Sequence, residues 1–147
     1  MPIDFSYNER LEAGYPGAIV NTEPKTLISR TVETATGIGF GVPVSQGAND
    51  NGVTTTAGNT DVLGVTVWDR TTDPETPDTF GQYRSARIMT KGVVWVRAGE
   101  AVAAGDPVCV TAADGTFKKT ATGNLTVANA RYDSSAAIGE LVKLRLA

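Results

Sequence analysis

Histidine is absent from this 147-residue sequence, and cysteine occurs once, at Cys109. Without histidine, Ser-His-Asp and Cys-His nucleophilic systems and every His-containing metal site are excluded, and the commonest general base near neutral pH is missing. A single cysteine can form neither an intramolecular disulfide nor a zinc site made only of cysteines. The sequence therefore favours a protein without catalytic residues, bound metal or cofactor.

Long apolar runs and basic clusters are also missing. No apolar stretch approaches the roughly 18 residues of a membrane span, and residues 1–14 lack the basic and apolar regions of a signal peptide. Lys118-Lys119 is the one adjacent basic pair and the formal net charge is -3, whereas nucleic-acid binders carry a basic surface. We therefore expect no membrane partner, no direct nucleic-acid contact and a protein made and used without crossing a membrane.

Short runs rich in Val and Thr supply most of the apolar residues, which make up 41% of a chain long enough for one domain. The stretches "VLGVTVW" and "LVKLRL" alternate with the period of two that is typical of strands. The segments predicted as strands are 18–21, 27–34, 41–45, 62–68, 87–90, 93–97, 108–111, 125–128 and 141–146.

Turn residues separate these runs. Asn51-Gly52 and Asp114-Gly115 predict tight turns, and the acidic, Pro-rich residues 69–79 predict an exposed loop. Residues 129–139 form the longest stretch that could be helical, but their periodicity is poor. We therefore predict an all-β fold, a compact single-domain β-barrel or sandwich with little helix.

The beginning of the chain differs from the rest. Residues 1–17 hold Phe5, Tyr7, Leu11 and Tyr15 without a continuous strand pattern. A terminal segment of this type frays unless something holds it, and aromatic residues are enriched among interface hot spots. We predict an extended N-terminal arm at 1–17 and a β domain at 18–147, with these four residues as candidate contacts. Packing of each on its own domain is the alternative.

Two acidic segments could carry chemistry but have simpler structural interpretations. Residues 48–53, "ANDNGV", resemble the start of a calcium loop, but the downstream carboxylates of such a loop are missing, so an Asn-Gly turn is preferred. Paired carboxylates among Asp69, Asp73, Glu75 and Asp78 could serve a glycan hydrolase without histidine. However, their loop has no apolar pocket to raise the pKa of a carboxyl.

The central segment, residues 93–110 or "VVWVRAGEAVAAGDPVCV", permits two interpretations. Its V-x-x-G-D-x-V turn also occurs in small β domains that carry biotin or lipoate on a hairpin lysine. The nearest lysine, Lys91, precedes a glycine in a predicted turn but lacks the flanking pattern of such carriers. The simpler interpretation is a core hairpin: residues 93–97 form one strand, and Gly105-Asp106-Pro107 shapes the return into 108–111.

Several segments occur together in an order that matches a known family. They are "AGYPGAIVN", "LISRTVETATGIGFGVPVSQG", "DVLGVTVWDRT", "IMTKGVVWVRAGEAVAAGDPVCV", "GNLTVANARYDSSAAIGE" and "LVKLRLA". The most specific parts are the Pro-Gly after the arm, the central block and the late "ARYDSSAA". With these segments the chain resembles the structural cement, or head-decoration, proteins of tailed bacteriophages over nearly its whole length.

This resemblance implies a non-enzymatic virion protein, made in the host bacterial cytoplasm, that binds the outer surface of an icosahedral head. It implies homotrimers that bridge capsomers of the major capsid protein and stabilise the mature head. Phe5, Tyr7, Leu11 and Tyr15 would then be capsid or inter-subunit contacts. The alternative in the same class is another virion component, a minor capsid or tail-associated β protein. A glycan hydrolase and a biotin or lipoate carrier remain as the alternatives from other classes.

Overall fold

The computed structural model describes residues 14–147, which form eleven strands and no helix. The strands are β1 (Thr26–Val32), β2 (Ile38–Gly39), β3 (Pro43–Gln46), β4 (Gly52–Thr55), β5 (Gly64–Thr66), β6 (Thr79–Phe80), β7 (Ser85–Arg97), β8 (Pro107–Thr111), β9 (Thr116–Lys118), β10 (Leu125–Tyr132) and β11 (Leu141–Leu146). Nothing in this described part is a helix that could span a membrane. The predicted all-β fold with little helix is confirmed.

Five strands close into a first barrel, in the order β1-β4-β3-β5-β7 with β7 returning to β1. The short β2–β6 pair joins Ile38 to Phe80 and adds both side chains to the interior. The ring of Phe80 meets that of Phe40 edge to face, with centroids 5.0 Å apart. The buried residues of this core are Val32, Ile38, Val44, Val53, Phe80, Ala86 and Ile88.

A second ring runs β7-β11-β10-β8-β9 and closes through a parallel bridge between Ala98 and Phe117. The Gly99 amide donates to the Phe117 carbonyl at 2.7 Å across this closure. Tyr132 is fully buried in the second core, and its hydroxyl donates to the Lys118 carbonyl at 2.9 Å. Burial raises the pKa of that hydroxyl, so Tyr132 acts as a neutral hydrogen-bond donor inside the barrel.

The long strand β7 belongs to both barrels. Lys91 pairs with Thr26 of β1, and the next residue, Gly92, pairs with Leu146 of β11. The predicted Lys-Gly turn is therefore wrong, and the predicted strands 87–90 and 93–97 are one strand. Because Lys91 lies in the middle of that strand, it is not displayed on a hairpin tip as a biotin or lipoate carrier requires.

The predicted hairpin between residues 93–97 and 108–111 is also wrong. On one edge, this half of β7 pairs with β11, and β8 lies between β9 and β10. The connection crosses the end of the second barrel, where Val102 bridges Ala136 and the Gly105 amide donates to the Tyr132 carbonyl at 2.7 Å. The Asp106 carboxylate accepts from the Ala103 amide at 2.9 Å. The Gly-Asp-Pro turn does lead into β8, but the crossing separates β8 from β7.

The predicted strand at 18–21 is a short segment along the other edge of β7. The Gly17 amide donates to the Trp95 carbonyl at 2.8 Å, and the Val20 amide donates to the Val93 carbonyl at 3.1 Å. Gly17 has φ +84° and is buried beside Gly41. A Cβ on Gly17 would lie 2.9 Å from the Cβ of Phe40 and 2.9 Å from the Trp68 nitrogen. Only glycine fits this contact without strain.

The carboxylate of Glu33, just after β1, holds the loop at residues 47–52. It accepts from the amides of Ala48 at 2.8 Å and Asn49 at 2.9 Å, and from the Asn49 side chain at 2.9 Å. These hydrogen bonds hold the pKa of Glu33 below its ordinary value. The Gly52 amide donates back to the Asn49 carbonyl at 2.9 Å. The predicted Asn-Gly turn is confirmed, and the nearby carboxylate is engaged by the loop itself.

The close packing at Gly17 predicts that the addition of one methyl group strongly lowers the free energy of unfolding. Gly17→Ala should destabilise the fold by about 3 kcal/mol, from left-handed backbone strain together with overpacking. Gly58→Ala is the matched control, because Gly58 has φ +77° but no atom within 4 Å of the added Cβ. Gly58→Ala should lower the free energy of unfolding only by the backbone strain of about 1–2 kcal/mol. Urea denaturation measures both, and equal losses would contradict the close contact.

The lowered pKa of Glu33 predicts a pH-dependent contribution to stability. A depressed folded-state pKa stabilises the fold above the ordinary value of 4.5, and the contribution is lost as pH falls through the folded-state value. Glu33→Gln should therefore lower the Tm near pH 7, and its difference from the parent should shrink as the pH falls below 4.5. Glu75→Gln, in the exposed loop 69–79, serves as the control. A difference that is constant across this range would refute the proposed ionic role.

Candidate functional site

The carboxylates of loop 69–79 mainly order the loop itself. Asp69 accepts from the Thr71 amide at 2.9 Å, and Asp73 accepts from the Glu75 amide at 3.0 Å. Asp73, Glu75 and Asp78 are exposed, as predicted for this loop. Within residues 14–147, no group of three or more His, Cys, Asp or Glu side chains is arranged to hold a metal ion. This arrangement offers no buried carboxyl pair of the kind that a glycan hydrolase uses.

A cleft of about 610 Å³ opens where the chain enters the body, lined by Tyr15, Pro16, Phe40, Trp68, Arg70 and Asp78. The ring of Tyr15 meets that of Trp68 edge on, with centroids 5.2 Å apart. The Arg70 guanidinium lies 5.0 Å from the centre of the same indole. An apolar floor therefore lies beside one cation and one carboxylate, a combination that can bind an amphipathic segment.

A second cleft of about 520 Å³ continues from the first and shares Pro16 and Phe40 with it. Val42 of the first barrel and Phe117 of the second line its floor, and Ile138 lies at its edge with 72% of its surface exposed. We call the two clefts together the waist groove, because both barrels contribute to it. Its defining residues are Tyr15, Pro16, Phe40, Val42, Trp68, Arg70, Asp78, Phe117 and Ile138.

The chain that borders the waist groove is fixed at both ends. At its start, the Gly17 carbonyl accepts from the Trp68 amide at 3.0 Å. Further along, Arg145 of β11 donates to Glu23 at 2.6 Å and to Asp133 at 2.6 Å. The Arg145 guanidinium holds the pKa of Glu23 below its ordinary value. This ion pair ties the segment before β1 to the second barrel, so residues 17–23 are held at both ends.

Of the four predicted contact residues, only Tyr15 lies within the part of the chain that the structure describes. Tyr15 lies in the waist groove with 47% of its surface exposed, whereas Phe5, Tyr7 and Leu11 lie outside the described residues. Trp68 and Ile138 were not identified from the sequence. Trp68 ends the predicted strand 62–68 and precedes the polar loop, and this position was the available sign of a partly exposed aromatic residue. Ile138 belongs to a stretch that gave no clear pattern.

Comparison with solved structures shows that the fold recurs in phage heads. The chain matches one in "The capsid of Myoviridae Phage XM1" with a TM-score of 0.74 at 16% identity, covering 99% of this chain and 98% of that one. It also matches "The crystal structure of head fiber gp8.5 N base in bacteriophage phi29" with a TM-score of 0.51 at 19% identity, covering 84% and 95%. No curated protein sequence matches. At these identities the likeness shows the fold alone.

A family model extends the match to the sequence itself. The model described as "Structural cement protein (E217 gp24/Pam3 gp6)" covers residues 3–147, nearly the whole chain. It spans the two barrels, the waist groove and most of the predicted arm, so the resemblance inferred from the separate segments is confirmed. The chain belongs to the phage structural cement family and is a capsid decoration protein, a structural component of the virion.

Proposed function

We propose that this protein binds the outer surface of an icosahedral phage head and bridges neighbouring capsomers of the major capsid protein. In this role it opposes rupture of the head by the packaged DNA. The observation that carries the proposal is the fixed base of the arm: Gly17 is hydrogen-bonded to β7 and to Trp68, while Tyr15 remains half exposed beside it. Any contact that the arm makes is therefore mechanically linked to the folded β domain through Gly17.

Strand β7 supplies the mechanical link. Gly17 donates to Trp95 in the second half of β7, and the first half of the same strand is part of the other barrel. A pull on residues 1–17 is therefore transmitted along one continuous strand to both hydrophobic cores. Two barrels resist such a load together, which suits a protein that holds capsomers against outward pressure.

In this role the arm makes the contacts, and the copies assemble symmetrically on the head. Residues 1–17 act as the arm and 18–147 as the β domain, and Phe5, Tyr7, Leu11 and Tyr15 contact the capsid or a neighbouring copy. Three copies assemble near the threefold positions of the head. Each contact is modest, but linked contacts in a symmetric assembly act at high effective concentration. The protein performs this role without enzymatic activity, nucleic acid or a membrane.

Heat-induced DNA release tests the proposal directly. Heads that carry the full chain should retain DNA to a higher temperature than undecorated heads. A variant that lacks residues 1–12 keeps the Tyr15–Gly17 turn, so it should remain folded but bind heads more weakly and protect them less. Tyr83→Ala is the control, because Tyr83 is 77% exposed and is not one of the groove residues. Unchanged DNA release together with no binding to heads would refute the proposal.

Localisation separates this function from that of another virion component. Cryo-EM of whole particles should show density for the two barrels repeated over the outer head lattice. Density confined to the tail would instead establish the alternative of a tail-associated protein.

A further inference from the structure

The waist groove has the form of a receiving site for an extended segment. Resting on the function proposed above, we propose that it binds residues 1–13 of a second copy of this chain. The groove is open, its floor is apolar, and it is bordered by the exposed side chains of Tyr15 and Ile138. An open cleft with a mainly apolar lining and a few polar groups is the usual form of a binding site.

The sequence of residues 1–13 complements the groove. Ile3, Phe5 and Tyr7 recur at every second position, between the polar residues Asp4, Ser6 and Asn8. In an extended segment such a pattern places the apolar side chains on one face, and this face matches the aromatic floor at Phe40 and Trp68.

Charges provide a second match. Residues 1–13 carry Asp4, Glu9 and Glu12 against a single Arg10. One end of the groove presents Arg70 and Asp78, one charge of each sign. The other end is lined by Arg97 and Asp114, so acidic residues of the arm can pair with an arginine, and Arg10 can pair with a carboxylate, at either end of the groove.

The turn at the base of the arm favours binding of residues 1–13 to the groove of a second copy over binding to the groove of the same chain. The Ala18 amide donates to the Tyr15 carbonyl at 3.0 Å and closes a turn. Gly14, just before this turn, lies against Trp95: a Cβ added to Gly14 would be 3.0 Å from the indole Cδ1. Trp95 is not one of the groove residues. At Gly14 the chain lies over Trp95 and outside the groove, and this position favours the groove of a second copy as the site that residues 1–13 occupy.

The length of the segment permits the exchange. Thirteen extended residues span about 43 Å, whereas a folded chain of this size has a radius of gyration of about 15 Å. The arm can therefore cross from one body to the groove of its neighbour. If each copy gives one arm and receives another, the contact is head to tail and closes into a ring.

Photo-crosslinking tests the exchange. A benzophenone amino acid replaces Tyr7, and equal amounts of ¹⁵N-labelled and unlabelled chains are mixed. The mixture is irradiated both as concentrated free protein and on decorated heads. Mass spectrometry should find heavy-to-light crosslinks, in one or both preparations, that join position 7 to peptides containing Phe40, Trp68 or Ile138.

Variants establish the specificity of the crosslink. Arg70→Glu changes an exposed side chain outside both cores and should reduce the yield about tenfold or more, the loss expected for a well-placed interface charge. Trp68→Ala, confirmed as folded by its melting transition, should reduce it at least as much. Tyr83→Ala should leave it unchanged. A yield that neither groove variant alters would overturn the proposal.

Other outcomes separate this inference from the proposed function. Crosslinks that join position 7 only to its own chain, or only to the capsid protein, would overturn the exchange. The absence of crosslinks to the groove from both preparations would do the same. In each of these cases, binding to heads and protection against DNA release can still hold. Failure of head binding would instead refute the proposed function, even if free copies exchanged their arms.

Discussion

Strand β7 forms a wall of both barrels, and this sharing sets the arrangement of the rest of the structure. Successive side chains of a strand face opposite sides, and β7 buries side chains on both of its faces. Ile88 packs in the first core and its neighbour Met89 in the second. A shift of one residue in the pairing of β7 would exchange these faces. The registers of β1, β5 and β11 are therefore constrained by the same strand.

The shared strand also produces the waist groove. Because the barrels follow one another along β7, the first at residues 85–91 and the second at 92–97, a depression lies at their junction, and Pro16, Phe40 and Phe117 line it together. Gly17 and Gly41 allow the entering chain to lie directly against this junction. The groove is thus a consequence of how two small barrels are joined, and its position next to residues 15–17 follows from the hydrogen bond between Gly17 and β7.

Sequence patterns predicted the class of fold but not its connections. Alternation identified β11, in which buried and partly exposed residues alternate. The Val-rich β8 was also identified, although its residues 108–110 are buried on both faces. Alternation failed at Lys91-Gly92, where a local turn preference was overridden by pairing to β1 on one side and β11 on the other. It missed β9, three residues long, because so short a strand has no detectable period. Phe40, Trp68 and Ile138 meet in the groove only because of the topology, which no local pattern contains.

Stability and attachment are coupled in this arrangement. The structural relatives retain the fold at 16% and 19% identity, so many side chains can change while the backbone arrangement persists. Position 17 allows less freedom, because Gly17 packs against Phe40, and Phe40 both lines the groove and contacts Phe80 in the first core. A substitution that moves Phe40 would disturb the core, the groove and the packing of Gly17 at once. Adaptation to a different head surface should therefore act mainly on exposed positions such as Arg70 and Ile138, where a side chain can change without altering either barrel.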